Sequence, residues 1–399
     1  MFHMVCSEQM QISTYLKDIS SKFDIFAGYD ILYMNMIRTI ILLMAVLSAA
    51  CTPQDKPAGD EPDKGNEETI ERSFYAKGAD ISWTTQMEAD GVKFRNADGQ
   101  EKECTALMKE IGMNSIRLRV WVDPKDGWCG KEDVLVKAAR AQALGMNIMI
   151  DFHYSDSWAD PSKQVVPKKW AALQYPAQIA KAVEEHTKDI LSTLKANKID
   201  VKWIQLGNEV NSGMLHPMGK VIGTSEGASI GGYKEFSNAG YWAAREIYPE
   251  AKIIIHLSNG FEASMYNWFF SNIHGVHYDM IGMSLYPSWW ENGGWSSWKG
   301  TVDKCIANIQ SLVKTFGKPV MICETGMPAS EPQMSKEAIQ YILDRTYDIK
   351  ECHGIFYWEP EVYGGWKPDD YAELGWSSYD KGAFGADGKP TIALDPFKN

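Results

Sequence analysis

Two glutamates stand where apolar runs end. Trp203-Ile204-Gln205-Leu206-Gly207 leads into Asn208-Glu209, and Val320-Met321-Ile322-Cys323 leads into Glu324-Thr325-Gly326. A carboxylate at the edge of an apolar segment is costly to desolvate, so it needs partners or a use. Two carboxyls about 5–5.5 Å apart are the equipment of a retaining glycosidase. One protonates the leaving oxygen; the other attacks the anomeric carbon and forms a glycosyl-enzyme. Either glutamate alone carries little information. A pair at the ends of two strands facing each other across a barrel carries a great deal.

The segments that would hold them have a regular order. From residue 76 onward, short β-branched runs alternate with amphipathic windows. Strands are expected near 78–83, 114–122, 147–153, 201–207, 251–257, 278–285, 318–324 and 353–359, with helical periodicity over 131–143, 176–196 and 335–350. Strand then helix, eight times, predicts an α/β fold: a (β/α)8 TIM barrel forming a single catalytic domain over residues 76–399. A doubly wound sheet is the alternative, but no Gly-rich phosphate turn follows the first strand. The eighth helix is the weakest, with only a short candidate at 391–398.

In such a barrel the chemistry belongs at the carboxyl ends of the strands. Asp80, Arg117, Arg119, Asp151, His153, Asn208, Glu209, His256, Tyr286, Glu324 and Glu359 all fall there. So do most of the 15 tryptophans, among them Trp83, Trp121, Trp158, Trp289, Trp290 and Trp358. Aromatic faces round a barrel mouth suit the C–H patches of sugar rings. His153 and His256 have competing readings as structural strand-end residues, His274 and His277 read as structural, and Glu359 as an ion-pair partner behind the site.

Composition narrows the partners. With 45% hydrophobic and 23% charged residues the chain is globular, neither disordered nor a multi-span membrane protein. A net charge of −12 argues against nucleic acid and acidic polymers. A neutral polysaccharide fits.

The first 75 residues read as an address. Residues 1–33 precede the start that Met34 or Met36 would give. Arg38 then precedes an apolar run from Ile40 to Ala50, too short to span roughly 30 Å of hydrocarbon as a helix but suited to a signal peptide. With Cys51 directly after Ser48-Ala49-Ala50, the segment resembles a bacterial lipoprotein signal. Residues 1–50 are therefore expected to be removed, Cys51 to be lipidated, and 51–75, with Pro53, Pro57 and Pro62 among many acids, to form a solvated tether. This predicts export and a lipid anchor in the bacterial cell envelope as the only membrane contact. Of the other cysteines, Cys104 and Cys129 would lie on the same side of a barrel, where a bridge is geometrically open. Cys305 and Cys352 would lie at opposite ends and stay unbridged. Their spacings match no zinc pattern.

Several longer motifs carry a family likeness. They are Gly78-Ala79-Asp80-Ile81-Ser82, Asn114 to Trp121 (NSIRLRVW), Asp151 to Pro161 (DFHYSDSWADP), Gly207-Asn208-Glu209, Ser284-Leu285-Tyr286-Pro287 and Glu324-Thr325. With them the chain resembles the arabinogalactan endo-β-1,4-galactanases, glycoside hydrolase family 53, over roughly residues 76–395. The Asp151–Pro161 run is the most family-specific. The resemblance implies retaining hydrolysis of β-1,4-galactan side chains of pectin, with Glu209 as acid/base and Glu324 as nucleophile; a monomer is expected. It also implies that Asn208 binds the sugar 2-hydroxyl, Tyr286 orients Glu324, and Arg117 keeps Glu324 ionised. Arg119 shares the strand parity of Arg117, so the two could exchange roles. Trp358 would floor the subsite of the attacked sugar; Asp151, His153, Trp158 and Trp289 would line the cleft.

No cofactor is implied. Bacterial relatives can hold calcium in a long loop after the seventh strand, but here Met327–Met334 is short, with Glu331 its one acid. Asp369, Asp370 and Asp380 read as solvated acids rather than cation ligands. The competing functions are the same mechanism on a β-mannan or β-glucan, and a catalytically silent glycan-binding barrel.

Overall fold

The computed structural model describes residues 74–225, 227–288, 297–366 and 380–398. Eight parallel strands close on themselves: β1 Ala76–Asp80, β2 Ser115–Val120, β3 Asn147–Phe152, β4 Val201–Leu206, β5 Lys252–Leu257, β6 Met280–Leu285, β7 Val320–Thr325 and β8 Cys352–Trp358. Each lies beside its sequence neighbours, and β8 pairs with β1 to complete the barrel. Between them run α1 Cys104–Ile111, α2 Lys131–Ala143, α3 Pro176–Ala196, α4 Gly231–Ile247, α5 Ala263–Asn272, α6 Trp298–Phe316 and α7 Pro332–Tyr347. A 3-10 helix, Ile392–Lys398, takes the eighth place. This is the (β/α)8 barrel read from the alternation.

Local chemistry sets the boundaries. The Glu103 carboxylate accepts from the Thr105 and Ala106 amides at 2.9 Å to open α1, and Gly112, at φ 108°, closes it in the left-handed region. β1 ends at Asp80 rather than 83 because the Asp80 carboxylate accepts from both the amide and the hydroxyl of Ser82, turning the chain. α7 starts three residues earlier than its apolar periodicity suggests, since Pro332 is suited to a first helical turn.

Side chains pointing into the barrel alternate along each strand and change character with height. The lower layer is apolar: Ala76, Met149, Trp203, Ile254, Met280, Met321, Cys323 and Phe356 form a separate buried cluster. Two residues further along the same strands stand Asp151, Gln205 and His256, all fully buried. Period-two alternation thus places a polar layer directly above an apolar plug.

β7 departs from that rhythm. Against β6 its register runs Met283↔Ile322 and then Ser284↔Glu324; against β8 it runs Ile355↔Ile322 and then Tyr357↔Thr325. Both neighbours record one extra residue on β7. A bulge of this kind re-aims a side chain. Here Cys323 joins the apolar plug while the next residue, Glu324, joins the polar layer above it.

Candidate active site

Arg117, on β2, organises the polar layer. Its guanidinium is buried and donates to Asp80 Oδ2 at 2.8 Å, Asn208 Oδ1 at 2.9 Å and Glu324 Oε1 at 2.9 Å, with Asp151 Oδ2 at 2.8 Å. Gln205 Oε1 also accepts from it. A planar cation with five donors suits this many acceptors.

The other oxygen of Glu324 accepts from the Tyr286 hydroxyl at 2.9 Å. Burial leaves the Glu324 carboxyl above its ordinary value: Arg117 and Tyr286 pull it down without cancelling the rise, to which Asp151 adds. Arg117, not Arg119, is thus the cation at Glu324, which resolves the possible exchange of roles.

Glu209 follows the end of β4 and sits at φ 47°, two residues after Gly207 at φ 79°. Ser284 Oγ on β6 lies 2.6 Å from its Oε1. Desolvation first, then the charge of Glu324, raise Glu209 to about 8. One carboxyl is therefore held as an acid while the other, against a guanidinium, has the lower proton affinity. Pairs of titrating groups pushed apart in this way mark acid/base sites.

Asn208 faces Arg117 through Oδ1, and its Nδ2 donates to the Ala159 carbonyl at 2.9 Å. Trp358, at the end of β8, meets Tyr286 edge-on, with centroids 6.4 Å apart. Glu209, Asn208, Glu324, Tyr286 and Arg117 therefore come together through direct contacts or shared partners, with Trp358 against Tyr286.

Other residues expected in the cleft lie beneath or behind it. Asp151 is fully buried: it binds Arg117 and accepts from Gln205 Nε2 at 2.6 Å. Burial alone would raise it, yet Arg117 and His153 hold it below its usual value. His153 spends one ring nitrogen on Asp151 at 2.9 Å and the other on the Ala159 amide at 2.9 Å. Asp151 supports Arg117 directly and His153 supports Asp151, with both ring nitrogens spent on protein partners. Trp158, largely buried, packs with Trp83 and Trp121 round Arg119, whose guanidinium carbon sits 4.5, 5.0 and 5.6 Å from the Trp83, Trp121 and Trp158 rings. Arg119 pairs with Glu359, the ion-pair role expected of that glutamate. Trp289, Trp290, Asp369 and Asp370 lie outside the described residues, as does Cys51.

Sequence reasoning missed Gln205 and the role of Ser284. Gln205 had a visible signal, being a lone amide inside an apolar strand with the parity of Trp203. Ser284 had only its place two residues before Tyr286.

Among the described residues, no group of three or more His, Cys, Asp or Glu is arranged to hold a metal. Asp380 is engaged by Lys381 Nζ at 2.7 Å. Cys104, Cys129, Cys305, Cys323 and Cys352 are all buried free thiols, so the bridge open to Cys104 and Cys129 is not made.

Comparison with known proteins places this geometry. The profile of glycosyl hydrolase family 53 matches residues 76–397. The chain belongs to glycosyl hydrolase family 53. An arabinogalactan endo-beta-1,4-galactanase of Humicola insolens is 30% identical over 349 residues, covering 80% of this chain and 98% of its own length. One from Aspergillus niger is 31% identical over 309 residues, covering 71% and 84%. Among solved structures, a fungal beta-1,4-galactanase superimposes with a TM-score of 0.68 at 28% identity, covering 82% of this chain and 99% of the other. The family 53 catalytic domain of Ignisphaera aggregans gives 0.69 at 28%, covering 81% and 95%. The family 53 assignment thus rests on most of the described barrel.

Proposed function

We propose that this family 53 enzyme hydrolyses internal β-1,4-galactosidic bonds of galactan and arabinogalactan side chains of pectin, with retention at the anomeric carbon. The observation that carries the chemistry is the contrast between the two glutamates: Glu324 held by Arg117 and Tyr286, and Glu209 raised to about 8. In the first step Glu324 attacks the anomeric carbon while Glu209 gives its proton to the leaving oxygen. A galactosyl-enzyme ester forms and the aglycone leaves as an alcohol. In the second step ionised Glu209 takes a proton from water, the resulting hydroxide attacks the same carbon, and Glu324 departs as carboxylate. Asn208 would bind the 2-hydroxyl of the attacked sugar and Trp358 would floor its subsite. The choice of galactan is supported by the names of the family 53 relatives and by the Asp151–Pro161 motif.

The direct test is product analysis on β-1,4-galactan, β-mannan and β-glucan, alongside Glu324→Ala. Short galacto-oligosaccharides from galactan alone, lost in the variant, are expected. Cleavage of another glycan instead would keep the mechanism and reject the substrate. No cleavage by the folded protein would favour a glycan-binding role.

We further propose that the enzyme acts as a monomer held in the bacterial envelope by lipid on Cys51. The short apolar run, the small residues before Cys51 and the acidic stretch after it support this reading. Metabolic labelling with a fatty acid should mark the wild type and not Cys51→Ala; equal labelling of both would reject the anchor.

A further inference from the structure

The hydrogen bonds round His256, at the end of β5, have a determinable direction. They start at Asn208. Its Nδ2 is committed to the Ala159 carbonyl, which identifies Oδ1 as the oxygen, and Arg117 Nη2 donates to that oxygen at 2.9 Å. His256 Nδ1 lies 2.8 Å from the same Oδ1. Two lone pairs do not approach that closely without a hydrogen between them, so Nδ1 carries one. The Gln205 amide, 3.0 Å from Nδ1, has two hydrogens; Asp151 Oδ1 at 2.6 Å takes one, and the Gly207 carbonyl at 3.2 Å takes the other, leaving Asn208 Oδ1 to Arg117 and His256 although it too lies 3.0 Å from the amide.

The ring is fully buried. Burial, and after it the neighbouring Arg117, hold His256 well below its usual range, so it is neutral. A neutral ring protonated on Nδ1 has a lone pair on Nε2. Ser284 Oγ is 2.9 Å from Nε2 and must point its one hydrogen there. Against an ionised Glu209 the 2.6 Å contact would be the serine hydroxyl donating to Oε1, but with that hydrogen committed to Nε2 the serine presents only lone pairs there. A contact that short needs a hydrogen from the carboxyl.

We propose that His256 is a positioning residue which, through Ser284, holds Glu209 in its protonated form in the free enzyme. The chain runs Glu209 O–H to Ser284, Ser284 O–H to His256 Nε2, and His256 Nδ1–H to Asn208. It ends at Arg117, the same cation that binds Glu324. One guanidinium thus lowers the proton affinity of the nucleophile directly and orders the hydrogens that keep the acid protonated.

When Glu209 ionises, the only proton lost is its own, and the chain reverses. Ser284 turns its hydrogen to Oε1, and the ring carries its single hydrogen on Nε2. Nδ1 then stands with a bare lone pair against Asn208 Oδ1, so the reversed setting is the less stable one. The other groups facing His256 are Asp151 and His153 from β3; those facing Glu209 are Glu324 from β7, Asp160 from the loop after β3, and Arg117.

The inference rests on Glu209 being the acid/base, and its test does not require galactan. In wild-type enzyme labelled with nitrogen-15 in histidine, the His256 ring should be neutral with the proton on Nδ1 at pH below the basic limb of kcat/KM. An Nε2–H tautomer or an imidazolium there would overturn the proposal. His256→Leu supplies a kinetic test and identifies the resonance by its loss. With the ring gone, Ser284 is free to donate to Oε1, and a hydrogen bond to the ionised form lowers a pKa by about one unit. The basic limb should move down by that amount; an unchanged or raised limb would overturn the proposal. Because the tautomer is read without substrate, failure to cleave galactan would reject the substrate reading and leave this result standing.

Discussion

The Arg117 guanidinium meets the Glu324 carboxylate at 2.9 Å from the far side of the barrel interior, β2 reaching to β7. The same cation also holds Asp80 and Asp151, both fully buried. Three carboxylates round one cation leave a net negative charge in a desolvated site, so the cation cannot be removed without consequence.

Arg117→Leu should therefore destabilise the barrel by about 3–5 kcal/mol, the usual cost of leaving a buried charge unpaired. Arg117→Lys should restore much of the stability but not the forked geometry, and kcat should stay at least about 100-fold down. Thermal unfolding and steady-state kinetics on the two variants separate these effects. Full activity in Arg117→Lys would show that the fork is dispensable.

Tyr286→Phe removes one hydrogen bond to Glu324 and no charge. That bond favours the ionised nucleophile, so without it the acidic limb of kcat/KM should move to higher pH, and kcat should fall about 10–100-fold. An acidic limb that stays in place would mean that Tyr286 does not act through Glu324.

The basic limb should belong to Glu209, raised to about 8. Activity should fall above that pH, because the leaving oxygen then finds no proton. Glu209→Gln should abolish the limb, and its activity on a β-galactoside with a strongly acidic leaving group should suffer far less than on galactan. Equal losses on both substrates would contradict the acid role.

Stability should also depend on pH in a set direction. Burial raises Glu359 to about 7 in the folded protein, above its ordinary 4.5, and Arg119 only partly offsets this. Between those two pH values the folded state binds more protons than the unfolded one, so stability is lost as pH rises. Glu209 extends the same trend to about 8. Tm should fall from pH 5 to pH 8, with a shallower slope in Glu359→Gln. A rising Tm across that window would contradict the assignment.

The barrel was legible because strand and helix periods differ so clearly, and the two glutamates because an apolar strand seldom ends in a carboxylate. Depth was not legible. Asp151 and His153 carry the right residue types at the right strand end, but Asp151 is spent on Arg117, and His153 on Asp151 and the Ala159 amide. Arg117 and Arg119 share a parity, and only packing decides that one meets Glu324 while the other lies among three indoles with Glu359. The β7 bulge was also hidden. Cys323 and Glu324 both serve the interior, which strict alternation forbids, and nothing in Ile322-Cys323-Glu324-Thr325 announces the extra residue.

The proposed covalent bond between Glu324 and the sugar, with Glu209 as the acid, can be trapped. Incubation with a β-galactoside carrying fluorine at C2 and a reactive leaving group should slow breakdown of the ester more than its formation. Intact-protein mass should then rise by one fluorinated glycosyl unit, and peptide mapping should place it on Glu324. A label on any other residue, or release of the α-anomer as the first product from a natural β-linked substrate, would contradict the account.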